Sequence, residues 1–341
     1  MRILAKQSMA FLLTLTLAAA PALAQNQKDQ DTKKKAKDDV EQIGNRDVDC
    51  GLNFYSIERE VALGKQFAQE IERSVKLVDD PVVNEYVNRV GQRLVRNSDA
   101  KVPFTIKVIE SDQLNAFALP GGFFYVNTGL ILAATEEAEL AGVMAHEIAH
   151  VTARHGTCNA TKGQLVQFAM IPLMIFGPGG WAGYGLYQGL NFLIPLQFLA
   201  FNRGAERQAD YLGLQYMYKT GYDPNSYIAF FEKIQAQEKR RPGSIPKIFS
   251  THPPSGERIQ NAQGTIATIL PTREEYIVST SEFDLVKARL FQTQSVTKAQ
   301  EDDPNRPTLR KRTERESDKK DGTTKTEEKD DDRPVLKRRP N

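Results

Sequence analysis

Apolar residues recur along the first part of the chain with the period of a helix. Ile57, Val61, Leu63, Phe67 and Ile71 follow Ser56, whose hydroxyl can accept from the unpaired N–H groups of a first turn, so the spacing predicts a capped amphipathic helix. Asp80-Pro81 opens a second, with Val83, Tyr86, Val87, Val90 and Leu94 on its inner face; the fixed φ of proline suits a first helical position. The period then shortens. FTIKVIES (104–111) and FFYVNT (123–128) are rich in β-branched and aromatic residues and read as strands, with NAFALPGG between them as a breaker segment. Thr135, followed by Glu136 and Glu137, predicts the N-cap of another helix, because acidic side chains favour the positive end of the helix dipole. Later helices are expected from Asp223-Pro224, after Thr251-His252-Pro253-Pro254, and from Ser281. The pattern describes an α+β domain, mainly helical, with a small sheet against the helices.

Both ends depart from this pattern. Residues 1–24 carry Arg2 and Lys6, an apolar run from Met9 to Ala20, and then Pro21-Ala22-Leu23-Ala24. The run is too short for a membrane span and the exit is small, so the segment reads as a cleaved signal peptide for export. Residues 25–49 read as a polar linker, 50–295 as the folded domain and 296–341 as a disordered charged tail. From Glu301 onward 25 of 41 residues are charged, too few apolar groups to offset the entropy of ordering them. Without the signal the chain has 43 basic and 43 acidic residues, which offers nucleic acid no basic face. Cys50 and Cys158 form either a disulfide or two thiols; spacing leaves both open. Residues 163–202 contain no charge in forty positions. They read either as a buried lid over a cleft or as a hairpin dipping into a membrane, their apolar pieces being shorter than the roughly 20 residues of a span.

Three of the four histidines fall in VMAHEIAHVTARHG (143–156). His146 and His150 are four apart, about 40° around a helix axis, so both rings leave one face and can meet one ion. Glu147 stands at the edge of that face, where it can hold a water without ligating. H-E-x-x-H is the pattern of zinc metallopeptidases for this reason. His155 is five beyond His150, about 140° around, and stays out of the ligand set unless the helix has ended. A third ligand must come from elsewhere. FNRGAERQADYLG (201–213) offers Glu206, which can complete a His₂Glu set, and Asp210, which can accept the free N–H of a ligand histidine. The same pair also reads as ordinary carboxylates on a solvated face, and spacing leaves the choice open.

HEIAHVTARHG, then NRGAERQAD and STHPPSGERI (250–259), resembles in that order the HtpX/BepA-like family of zinc metallopeptidases, related to the CAAX prenyl endopeptidases. NAFALPGGFFYVNTGLI (115–131) is similar to the stretch that precedes the family's metal helix, and the resemblance covers about residues 55 to 270. It implies a gluzincin fold and one Zn²⁺ per chain held by His146, His150 and Glu206. Glu147 becomes the catalytic carboxylate and Asp210 the partner behind a ligand. His252 and Arg258 come close to the cleft, His252 as oxyanion stabiliser or as a fourth ligand at rest, Arg258 as a second oxyanion candidate. Asn115, Gly121, Gly122 and Phe123 are the candidates for holding substrate. Residues 121–126 read either as an edge strand that takes a peptide as an added strand or as an interior hairpin strand. The multispan branches of the family have membrane helices and BepA-like members often append helical repeats; here a signal peptide and a charged tail stand instead.

The function expected is that of an exported, periplasmic zinc endopeptidase acting on misfolded or unassembled envelope proteins, with peripheral membrane contact if 163–202 is a hairpin. The competing reading is a chaperone or assembly factor that binds unfolded chains and rarely cuts. Glu147 favours the enzyme, because binding alone has no use for a base beside a metal. A zinc hydrolase of non-peptide envelope polymers is weaker, since Trp181 is the only tryptophan and no stacked aromatic platform is evident.

Overall fold

A computed structural model describes residues 37–176, 201–240, 252 and 255–301, with main chain only at 166–176, 237–240 and 294–301. The proposed signal peptide, most of the tail and the centre of the uncharged stretch lie outside the described residues. Helix α1 (Ile57–Ser74) is capped by Ser56, which accepts from the Arg59 N–H at 3.3 Å. Helix α2 (Pro81–Arg96) has Asp80 accepting from the Val82 and Val83 N–H groups. Strands β1 (Thr105–Ile109), β2 (Ala116–Leu119) and β3 (Phe123–Asn127) follow, then the short α3 (Thr128–Ala133). The remaining helices are α4 (Glu137–Thr152), α5 (His155–Phe176), α6 (Arg203–Thr220), α7 (Asn225–Arg240), α8 (Gly256–Ile269) and α9 (Ser281–Glu301). The described residues up to Val296 belong to one compact unit. The architecture is the expected α+β, mainly helical with a small sheet. Among the described residues no helix is long and apolar enough to cross a membrane.

The sheet corrects the substrate-strand expectation. NAFALPGG contains a strand of its own, β2, and the order is β1-β3-β2 with β1 parallel and β2 antiparallel to β3. Residues 123–126 are therefore interior, Phe123 pairing with Thr105 on one side and Leu119 on the other. Asn115 stands just before β2, its backbone carbonyl accepting from the Asn127 N–H at 3.0 Å. Gly121, at φ +77°, lies in the 3₁₀ turn that joins β2 to β3, where a Cβ would come within 2.6 Å of the Val61 Cα. The glycine lets α1 press onto that turn; it does not open a path for a peptide. β1 and β2 are the two edge strands, and β2 packs directly on α4.

Helix α4 is the centre of the molecule. Every residue from Glu137 to Thr152 is buried, enclosed mainly by α2, α6, α7 and β2. Its start lies one residue later than expected: Glu136 is the N-cap, and the Thr135 N–H donates instead to Glu139 Oε2 at 2.7 Å. The end of the expected polar linker is also packed. Val48 is fully buried, and the Arg46 guanidinium reaches Asp99 at 3.0 Å and Gln215 Oε1 at 2.7 Å. Burying this arginine is favourable only because both partners are present.

Cys50 and Cys158 form a disulfide with Cα atoms 6.5 Å apart, spanning 108 residues. It ties the packed N-terminal segment to the first turn of α5. Removing such a long constraint raises the entropy of the unfolded chain, so the Cys50→Ser/Cys158→Ser variant is expected to lose about 2–4 kcal/mol. Denaturant titration checks this; an unchanged midpoint would mean that packing alone holds the segment.

Candidate metal centre

Helix α6 crosses α4 at Gly213, where a Cβ would meet the His146 backbone nitrogen at 3.1 Å. That close approach sets Glu206 and Asp210, earlier on α6, against the histidines of α4. Asn202 caps α6 by accepting from the Gly204 and Ala205 N–H groups, so Glu206 lies in its first turn. His252 enters from the segment before α8. His146, His150, Glu206 and His252 are all buried and offer donor atoms within 4.8 Å of one another.

The separations within this set are 3.1 Å between the Nε2 atoms of His146 and His150, 3.4 Å from His146 Nε2 to His252 Nδ1, and 2.8 Å from His252 Nδ1 to Glu206 Oε1. Glu206 lies 3.5 Å from each of His146 Nε2 and His150 Nε2. Ligand atoms arranged tetrahedrally at about 2.1 Å from a zinc ion would be about 3.4 Å apart. The donor chemistry agrees. A proton between the facing Nε2 atoms would engage two donors, whereas a dication engages all four. The residues present fit zinc.

Behind the donors each group has a partner. His146 Nδ1 lies 3.0 Å from Asp210 Oδ1 and 3.0 Å from the Tyr227 hydroxyl, which itself donates to Asp210. Arg258 grips Asp210 through two bonds of 2.7 Å, approaches Glu206 Oε2 at 3.1 Å and donates to the His252 carbonyl at 3.1 Å. Proposed from sequence as an oxyanion group, Arg258 is thus engaged with the carboxylates and with the chain that carries His252. His150 stacks on Phe201 with ring centroids 4.0 Å apart.

Burial and these contacts oppose one another in the charge states. Burial would lower His146, but Asp210 and Glu206 hold it up at about 9. Burial would raise Glu206, but hydrogen bonds from His146 and His252 bring it to about 2. Asp210 is likewise held well below the usual carboxylate range, Arg258 and His146 overcoming burial. Burial, with the His146 charge next, pushes His150 well down. Glu147 is raised, chiefly by burial. Its Oε1 has no hydrogen-bond partner among the described residues and faces His252 Nε2 at 3.5 Å.

The structure therefore brings together His146, Glu147, His150, Glu206, Asp210, His252 and Arg258. It leaves Gly121, Gly122 and Phe123 in the turn and the interior strand. Two contributors have no distinctive sequence signal. Tyr227 reads as one more aromatic on the inner face of α7, and His155 stood outside the helical geometry assumed for it.

Residues 81–266 match peptidase family M48. The chain is 32% identical over 246 residues to the beta-barrel assembly-enhancing protease of Escherichia coli strain K12, an alignment covering 69% of this chain and 48% of that protein. It is 31% identical over 250 residues to the putative beta-barrel assembly-enhancing protease of Vibrio cholerae, covering 69% and 49%. Against the mitochondrial metalloendopeptidase OMA1 of Schizosaccharomyces pombe it is 33% identical over 179 residues, covering 52% and 51%. The chain spans about half the length of these curated relatives.

Proposed function

The chain belongs to peptidase family M48 and its central domain is a metallopeptidase domain; from that premise we propose that it is a zinc endopeptidase exported to the periplasm, where it hydrolyses misfolded or unassembled envelope proteins. One observation carries the chemistry: the buried convergence of His146, His150 and Glu206, with a carboxylate oxygen of Glu147 beside it that has no hydrogen-bond partner among the described residues. The disulfide supports an oxidising compartment. The names of the bacterial relatives, beta-barrel assembly-enhancing protease and its putative counterpart, support the substrate class.

Zinc held by His146, His150 and Glu206 would polarise a scissile carbonyl and bring the pKa of water toward about 7. Glu147 orients the attacking water, takes its proton and returns it to the leaving amine; its raised pKa suits the return. Asp210 and Tyr227 hold His146 with its Nε2 toward the other donors. β2 replaces β3 as the strand to receive a peptide. It is the sheet edge beside α4, and the Ala118 N–H favours the charged form of Glu147.

His252 supplies a fourth donor, so hydrolysis requires it to yield that place to water. The His252→Ala variant is expected to cleave unfolded casein faster than the wild type. A fall of about 100-fold would instead make His252 an oxyanion stabiliser. In that variant, stripping the metal with a chelator, verified by metal analysis, is expected to stop cleavage, and one equivalent of zinc to restore it. Stripped protein that cuts at the untreated rate would overturn the zinc reading.

A further inference from the structure

His155 lies outside the H-E-x-x-H pattern, yet its imidazole is buried against His150. The 140° offset expected of a continuous helix does not apply, because α4 stops at Thr152 and Arg154 takes φ +57°. That left-handed conformation is unfavourable for a non-glycine residue, whose Cβ crowds the following carbonyl oxygen. Arg154 is held in it by Glu60 Oε2 at 2.8 Å from its Nε and by the Tyr55 carbonyl at 2.6 Å from its Nη2. The reversal folds His155 back over the last turn of α4. Its Nδ1 comes within 2.9 Å of His150 Nδ1, and its Nε2 within 3.3 Å of Gln208 Oε1.

The direction of this chain is set from its far end. The Val48 carbonyl can only accept, so the Gln208 amide nitrogen faces it, at 2.7 Å. Gln208 Oε1 then faces His155 and requires a proton on His155 Nε2. A neutral His155 therefore presents a bare Nδ1, which must receive the Nδ1–H of His150. The only ring nitrogen of His150 left with a free lone pair is Nε2, and it points at His146 Nε2 and Glu206.

We propose that His155, oriented by Gln208, is a positioning residue that locks His150 in the tautomer whose Nε2 is free for the metal, and so sets the zinc affinity of the site. The proposal rests on the zinc reading above. A neutral partner has a physical rationale here, since a carboxylate behind His150 would add a further buried negative charge to three already present.

The test uses the full chain. Imidazole ¹⁵N spectra of the metal-free protein are expected to show protons on His150 Nδ1 and His155 Nε2; a proton on His155 Nδ1 overturns the proposal. Zinc affinity, measured by competition with a chromophoric chelator, is expected to fall about 10- to 100-fold in His155→Leu. His155→Asn, whose side-chain oxygen can stand in for the accepting nitrogen, is expected to recover most of that loss. A His155→Leu protein that binds zinc as the wild type does also overturns it. Should His155→Leu fail to fold, the wild-type spectra still decide. A wild-type protein that binds no zinc removes the metal reading instead, and the tautomers of the metal-free protein report on the hydrogen-bond chain independently.

Discussion

Glu147→Gln is expected to lower casein hydrolysis by about 10²–10⁴-fold, the range lost with a general base, while zinc affinity stays at the wild-type value. The side chain keeps its shape but loses its negative charge and its capacity to take up a proton. Glu147 contributes no donor atom to the His146, His150, Glu206, His252 set, so metal binding has no reason to change. Stability is expected to move the other way. A buried carboxylate whose Oε1 has no hydrogen-bond partner among the described residues is costly, and a neutral amide removes that cost. Thermal denaturation of the variant should show a midpoint at or above that of the wild type. A variant that still cuts at the parental rate excludes Glu147 as the base. One that binds unfolded protein normally and complements a deletion strain without cutting would favour the chaperone reading.

Arg258→Ala is expected to cost about 3–5 kcal/mol of stability, the penalty for stranding buried charge by removing its partner. Arg258 holds both oxygens of Asp210, lies beside Glu206 and packs over the Phe231 ring at 5.0 Å. Lysine cannot reproduce the forked contact, so Arg258→Lys should lose most of the same stability. The acid limb carries a second signature. Asp210 is depressed in the folded protein, so its contribution is complete above the ordinary carboxylate range and is lost as pH falls toward its folded value. Removing Arg258 raises that folded value, so stability should begin to fall at a higher pH than in the wild type. Urea titrations at a series of pH values measure both effects, and an unchanged midpoint would contradict the structural role given to Arg258.

Local signals carried much of the fold. Ser56 and Asp80 cap α1 and α2 where their side chains suggested, because capping depends on neighbours in sequence. The H-E-x-x-H ligands were legible for the same reason, since their spacing is a property of one helix. Glu206 was harder: nothing near it separates a ligand from a solvated carboxylate until α6 is laid across α4. β2 escaped notice because alanines at 116 and 118 are poor strand formers and Pro120-Gly121-Gly122 reads as a break. Pairing with β3 supplies what local propensity lacks. The end of α4 was equally hidden. No glycine or asparagine marks it; Arg154 adopts the left-handed turn because Glu60, far away in sequence, holds it there.

The donor set has a consequence for the life of the chain. His146 and His252 are separated by 106 residues, and Glu206 joins them from a third segment. A polypeptide still being synthesised, with residue 206 not yet delivered, lacks the carboxylate ligand whatever helices it has already formed. Completing the set requires closing long loops, so the ion can act as a late clasp on a nearly finished fold. The centre is thus assembled only when α6 is laid across α4, late enough that its formation reports on the packing of the whole domain.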